Sequence, residues 1–98
     1  VAAEGILTAN VNLNVLGSDP TQNVLAVGFD AGATIKTAVR DGIMLGAVTQ
    51  APMEMGRVTV ETLTKIADNE TVSDIATPCY WYHAQNMDED KIAPNLYD

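Results

Sequence analysis

Two side chains stand out as candidates for chemistry: the carboxyl group of Asp30 and the amide of Gln50, each at the carboxyl end of an apolar run. A carboxylate accepts two hydrogen bonds, and an amide both donates and accepts, so the pair matches vicinal hydroxyls that do both. No leaving group would be activated by such a pair. It suits a polar binding site, in which satisfied polar pairs and excluded water matter more than a matched acid and base. The alternative is that Asp30 only caps a helix and Gln50 only starts a turn. The other chemistry-bearing residues point to ordinary roles. His83 is the single histidine and follows three aromatic residues, which suits a packed or half-exposed side chain. Cys79, the single cysteine, has no partner for an internal disulfide and lies in an apolar segment, so it is expected to be a buried, inert thiol. Trp81 could stack on a sugar ring, although packing is its expected use.

The elements that position Asp30 and Gln50 are legible in residues 24–50. Val24 to Phe29 is a nearly continuous apolar run, as in a parallel strand covered on both faces, and Ile43 to Val48 is a second. Between them Ile35, Ala38 and Val39 recur at helical spacing, with Asp30 as the expected N-cap and Gly42 as the stop of a helix over 34–41. A strand, helix and strand in this order form a right-handed crossover unit with parallel neighbouring strands. Asp30 and Gln50 then share one sheet edge, the edge at which open α/β sheets bind ligands.

The flanking segments are less regular. Residues 1–10 read as a short helix with Ala2, Ile6 and Ala9 on one face, and Asn12 to Leu16 alternates like a strand with one wet face. The turn-forming stretch 17–23 is too short for the crossover of a dozen residues that a parallel neighbour of Val24 to Phe29 requires. The two strands are therefore expected to be antiparallel or non-adjacent, unless a connecting helix is absent. After Gln50, a helix from Pro52 to about Asn69 carries Met53, Gly56, Val60, Leu63 and Ala67 on one face. That face is expected to be buried, with Met53 and Met55 as core filler. Ile75 to His83 is a last strand, with Pro78 placing it at an edge or a strand start. The remainder, 84–98, reads as an acidic surface tail pinned by Ile92, Leu96 and Tyr97.

Ninety-eight residues with 47% hydrophobic content suit one small α/β domain, an open and largely parallel sheet with flanking helices. Thirteen acids against five bases give a net charge of -8, which argues against a nucleic-acid or anionic-lipid surface. The acids at Asp68, Glu70, Asp74, Asp88, Glu89 and Asp90 lack the spacing of a calcium loop and read as solvated surface, so no metal and no cofactor is expected. No apolar run is long enough to span a bilayer, and the start at Val1 suggests a processed or excised piece.

The order and spacing of Val27-Gly28-Phe29-Asp30, Arg40-Asp41-Gly42, Val48-Thr49-Gln50-Ala51-Pro52 and Met55-Gly56 resemble the C-terminal part of ribose-type sugar-binding proteins of bacterial ABC transporters. The resemblance covers Val24 to about Tyr82 and implies a truncated type I periplasmic-binding-protein fold. It implies that Asp30 and Gln50 hydrogen-bond the hydroxyls of a small monosaccharide such as ribose. Ser18-Asp19 occupies the place where the family has an asparagine followed by an acid, making these two further candidate ligand contacts. The family closes two lobes on its sugar, and only one side of the cleft is encoded here. The short 17–23 linker also stands where the family has another helix. The resemblance further implies a membrane permease as partner of the full-length parent, and a periplasmic or extracellular location, as a membrane-tethered lipoprotein in a Gram-positive source. Self-association or a complementary lobe would cover the helix after Pro52. The rival reading is the effector-binding domain of a sugar-responsive transcription repressor, against which the lack of an arginine followed by serine or threonine after Tyr82 counts. An enzyme is not expected, because no Ser-His-Asp order, phosphate-binding glycine loop or paired-cysteine metal motif is present.

Overall fold

The computed structural model describes residues 1–97. Seven elements follow in the order α1 (Ala2–Leu13), β1 (Val27–Phe29), α2 (Ala33–Arg40), β2 (Gly46–Gln50), α3 (Pro52–Ala67), β3 (Cys79–Tyr82) and the 3-10 turn η1 (Ala93–Asn95). The sheet has the order β1-β2-β3, with β1 and β2 parallel and β3 antiparallel on the outer edge. The expected crossover unit is therefore present, with strands shorter than the apolar runs that announced them.

The second strand starts late because the residues before it cap the helix. Gly42, at φ 79°, ends α2, its N–H donates to the carbonyl of Val39, and the N–H of Ile43 donates to Ala38 at 2.9 Å. These are the two bonds of a Schellman cap, and they commit Gly42 and Ile43 to the helix terminus rather than to the sheet. The N-terminus of α2 departs from expectation as well. Gly32 is the N-cap, in extended conformation and with no side-chain cap, so Asp30 does not cap this helix.

Helix α1 runs three residues beyond the expected stop at Asn10 and absorbs the first half of the expected strand over 12–16. Asn14 closes it in the left-handed conformation, and the Asn10 side-chain oxygen accepts the N–H groups of Val15 and Leu16 at 2.8 and 3.0 Å. Of that strand only a bridge survives: Leu16 pairs with Val24 in parallel. The short 17–23 connection is thus compatible with a parallel contact after all, because only one residue pair has to be aligned.

The core lies on one face of the sheet. Gly28, Ala47 and Tyr82 align across the three strands and are buried against Ile35, Val39 and Met44 from α2 and the segment after it, with Met87 and Ile92 closing the layer. The acidic segment over 84–97 is therefore partly structural. Met87, Ile92 and Asn95 are buried and Leu96 half-buried, whereas Tyr97, expected to pin it, is exposed. Asp98 lies outside the described residues. Thr49, fully buried, donates its hydroxyl to the carbonyl of Asn95 at 2.9 Å, and Arg40 reaches Asp88 with both terminal nitrogens at 3.2 Å.

Three expectations of burial fail. Helix α3 contains no buried residue, so Met53 and Met55 are not core filler, and Cys79 is exposed. Helical spacing of apolar residues identifies the face that should be covered, but burial requires another element to cover it, and Met53, Val60 and Leu63 on that face stay exposed. Cys79 starts the outer strand opposite Gln50, at the wet end of the sheet.

Candidate functional site

The carboxyl ends of β1 and β2 bring Asp30 and Gln50 together. Gln50 Nε2 donates to Asp30 Oδ1 at 3.3 Å, a contact at the long limit of a normal hydrogen bond. Parallel pairing of Phe29 with Val48 sets the register, so that the residues one and two positions further along project from the same edge. Asp30 is half-buried and Gln50 exposed, which leaves unused acceptor and donor capacity on both.

Asp30 is held in an unusual backbone conformation. Its φ is 77°, in the left-handed region that non-glycine residues seldom occupy, although aspartate tolerates it better than most. Two bonds fix it there. Its N–H donates to the carbonyl of Val48 at 2.7 Å, and the hydroxyl of Tyr82 donates to its carbonyl at 2.8 Å. The left-handed turn explains why this carboxylate faces Gln50 rather than the first turn of α2. A residue held from two sides in a sparsely populated backbone conformation is the kind of feature that clusters at binding sites.

Tyr82 was not among the candidate residues, yet it supports the site from below. Its side chain is fully buried, and burial pushes its phenol up to about 12, with Tyr97 and Asp30 nearby adding to the effect. The signal in the sequence was its place in an apolar strand, where a tyrosine hydroxyl has to find a partner.

Ser18 and Asp19 lie elsewhere. Asp19 Oδ1 accepts from the N–H and hydroxyl of Thr21 at 2.9 and 2.7 Å, which hold its carboxyl below the usual carboxylate range. The Asn23 side chain accepts the Asp19 N–H, and the Gly17 N–H reaches the carbonyl of Val24, so this loop is fastened at the beginning of the Val24 to Phe29 run. Asp30 comes six residues after Val24. The structure thus brings Asp30 and Gln50 together and engages Asp19 in its own turn. Among the described residues no three His, Cys, Asp or Glu side chains gather as a metal site, and no helix is long and apolar enough to cross a membrane.

An ABC transporter solute-binding protein from Agrobacterium vitis, crystallised with bound D-fucose, superposes with a TM-score of 0.82 at 29% identity, over 97% of this chain. The chain has part of a type I periplasmic-binding-protein fold. A second structure, described as an ABC transporter, LacI family transcriptional regulator from Brachyspira murdochii, superposes with a TM-score of 0.76 at 38% identity over 79% of the chain. The chain spans 31% of the length of the first and 24% of the second. No protein-family model and no curated protein matches it.

Proposed function

We propose that this chain forms one side of a monosaccharide-binding cleft of an ABC-transporter solute-binding protein, with Asp30 and Gln50 as the polar pair that meets the sugar hydroxyls. The observation that carries the reading is the long 3.3 Å contact between Gln50 and Asp30 at the end of two parallel strands, on a backbone fixed by Val48 and Tyr82. A sugar hydroxyl inserted between the two groups replaces one weak bond with two better ones, one accepted by the carboxylate and one donated by the amide. Ser18 and Asp19 belong to a loop fastened at the start of the Val24 to Phe29 run and are left out of the pair. Because one side of the cleft leaves a ligand half wet, the 98-residue chain binds sugar weakly by itself, and tight binding requires a complementary lobe. The parent works with a membrane permease outside the cytoplasm, and the site performs no catalysis.

The similarity to the Agrobacterium vitis protein with D-fucose supports this reading, and that to the regulator-described structure favours a second one, an effector-binding domain that senses the same class of ligand. On either reading the sugar is proposed to meet Asp30 and Gln50. Titration calorimetry of the chain within its two-lobed parent, against D-ribose and D-fucose, tests the reading. Asp30→Ala or Gln50→Ala is expected to weaken binding by about 1–3 kcal/mol, the cost of leaving a hydroxyl unpaired. Unchanged affinity in both variants would remove the pair from the site. Permease-dependent uptake would favour transport, and sugar-dependent release from an operator would favour regulation.

A further inference from the structure

Gln50 is the last residue of β2 and carries its amide at the exposed end of the strand, where the 3.3 Å contact with Asp30 is a weak hold. Its aim is set by the backbone, and the residue before it is tied down. Thr49 is fully buried, and its hydroxyl lies 2.9 Å from two carbonyl oxygens, that of Gln50 and that of Asn95 in η1. A threonine hydroxyl carries one proton, so the two carbonyls share it, and a displacement of either changes the hold on the other. Successive side chains of a strand point to opposite faces, so fixing Thr49 inward fixes Gln50 outward.

The far end of this tie is itself anchored. Asn95 is buried, its Nδ2 donates to the carbonyl of Lys91 at 3.1 Å, and its N–H donates to that of Ile92 at 2.9 Å. Met87 and Ile92 sit in the core, and Arg40 of α2 holds Asp88. The η1 turn also packs against α3, which begins at Pro52 just beyond the buried Ala51, so the segment braces the chain where it leaves the sheet. One step earlier in β2, the carbonyl of Val48 accepts the N–H of Asp30 at 2.7 Å. Consecutive residues of β2 thus fasten the two members of the polar pair, Val48 holding Asp30 and Thr49 holding Gln50.

We infer that Thr49 is the positioning residue of Gln50 and registers its amide against the segment over 84–97 through the carbonyl of Asn95. The inference rests on the reading of Asp30 and Gln50 as the pair that meets sugar hydroxyls, and it adds a support outside the two strands that carry them. Thr49 itself is buried away from ligand and acts only through the backbone it shares with Gln50. Hydrogen bonds weaken steeply as their angle departs from linearity, so an amide that has lost its register binds a hydroxyl less well even where its own chemistry is intact.

Thr49→Val, which keeps the shape and loses the donor, and Thr49→Ser, which keeps the donor, test it, with Asn95→Ala loosening the other end of the tie. In nitrogen-edited NMR of the 98-residue chain, Thr49→Val and Asn95→Ala are expected to move the Gln50 side-chain amide signals, and Thr49→Ser to leave them near their wild-type positions. In titration calorimetry of the chain within its two-lobed parent against D-fucose, Thr49→Val is expected to raise the dissociation constant about fivefold, the equivalent of one hydrogen bond, and Thr49→Ser by less than about twofold. Circular dichroism verifies that each variant is folded. A merely structural role would lower the urea midpoint and leave the affinity of the folded protein unchanged. Gln50 amide signals unmoved by Thr49→Val would overturn the inference, as would a serine variant as impaired as the valine one. Unchanged affinity in Thr49→Val beside weakened binding in Gln50→Ala would overturn it and keep the pair in the site. Unchanged affinity in Gln50→Ala would remove the pair, and the role of Thr49 in binding with it.

Discussion

Replacing Tyr82 with phenylalanine removes one oxygen and leaves the ring in place, so the core is not emptied and the effect can be assigned to a single hydrogen bond. That bond, 2.8 Å from the Tyr82 hydroxyl to the carbonyl of Asp30, is one of two that hold Asp30 at φ 77°. Losing it forfeits about 1 kcal/mol of net hydrogen bonding and leaves a part-buried carbonyl without its donor, so Tyr82→Phe is expected to cost about 1–3 kcal/mol in urea unfolding. The same side chain predicts a pH dependence. Its phenol is pushed up to about 12 in the folded protein, chiefly by burial, while an unfolded tyrosine titrates near 10. Below pH ~10 both states keep the proton and the stabilisation is fully present. Between pH ~10 and about 12 the unfolded chain releases its proton first, so stability falls as pH rises, by an amount of order 2 kcal/mol. The phenylalanine variant lacks this slope. Equal urea midpoints for wild type and variant, or parallel alkaline pH profiles, would refute the assignment of Tyr82 as the support of Asp30.

Three further outcomes follow from the packing. Gly46→Ala places a Cβ 2.5 Å from both Trp81 Cζ2 and the carbonyl oxygen of Tyr82, so it is expected to cost about 1–3 kcal/mol by urea denaturation through overpacking, whereas Gly5→Ala, with open space around it, should not destabilise. Thr49→Val keeps the shape of a fully buried side chain but removes the donor to Asn95, and hydrogen exchange over residues 84–97 is expected to quicken selectively. Arg40 holds the Asp88 carboxyl below the ordinary range, so the pair's contribution is present above pH ~4 and is lost as pH falls through the lowered value; NMR titration of Arg40→Gln should return Asp88 toward ~3.9.

The crossover unit was legible because its signals are local. The run from Val24 to Phe29, the helical spacing of Ile35, Ala38 and Val39, and the glycine at 42 are each read from a few neighbouring residues, and together they place Asp30 and Gln50 on one edge. The misreadings arose where a side chain or a distant element decides. Asn10 extends α1 by accepting two N–H groups beyond its end, a use of asparagine that competes with its more usual reading as a breaker. Asp30 was expected as a helix cap, whereas two tertiary bonds, from Tyr82 and to Val48, set its conformation. Burial along α3 was overestimated for a related reason. Spacing defines a stripe, but only a partner at that stripe removes it from water, and Met53, Val60 and Leu63 stay exposed. The acidic stretch after His83 concealed Met87, which composition alone marks as surface and the fold places in the core.

Asp30 and Gln50 are proposed to face a sugar. Nitrogen-edited NMR of the 98-residue chain, titrated with D-fucose and D-ribose to millimolar concentration, tests it directly and tolerates the weak binding expected of one half of a cleft. The Gln50 side-chain amide and the backbone N–H groups of Asp30 and Ala31 are expected to shift first and saturate together, while α3 signals stay in place. Saturable shifts confined to the groove between α1 and α2, around Val11 and Thr37, with Gln50 and Asp30 unmoved, would contradict it.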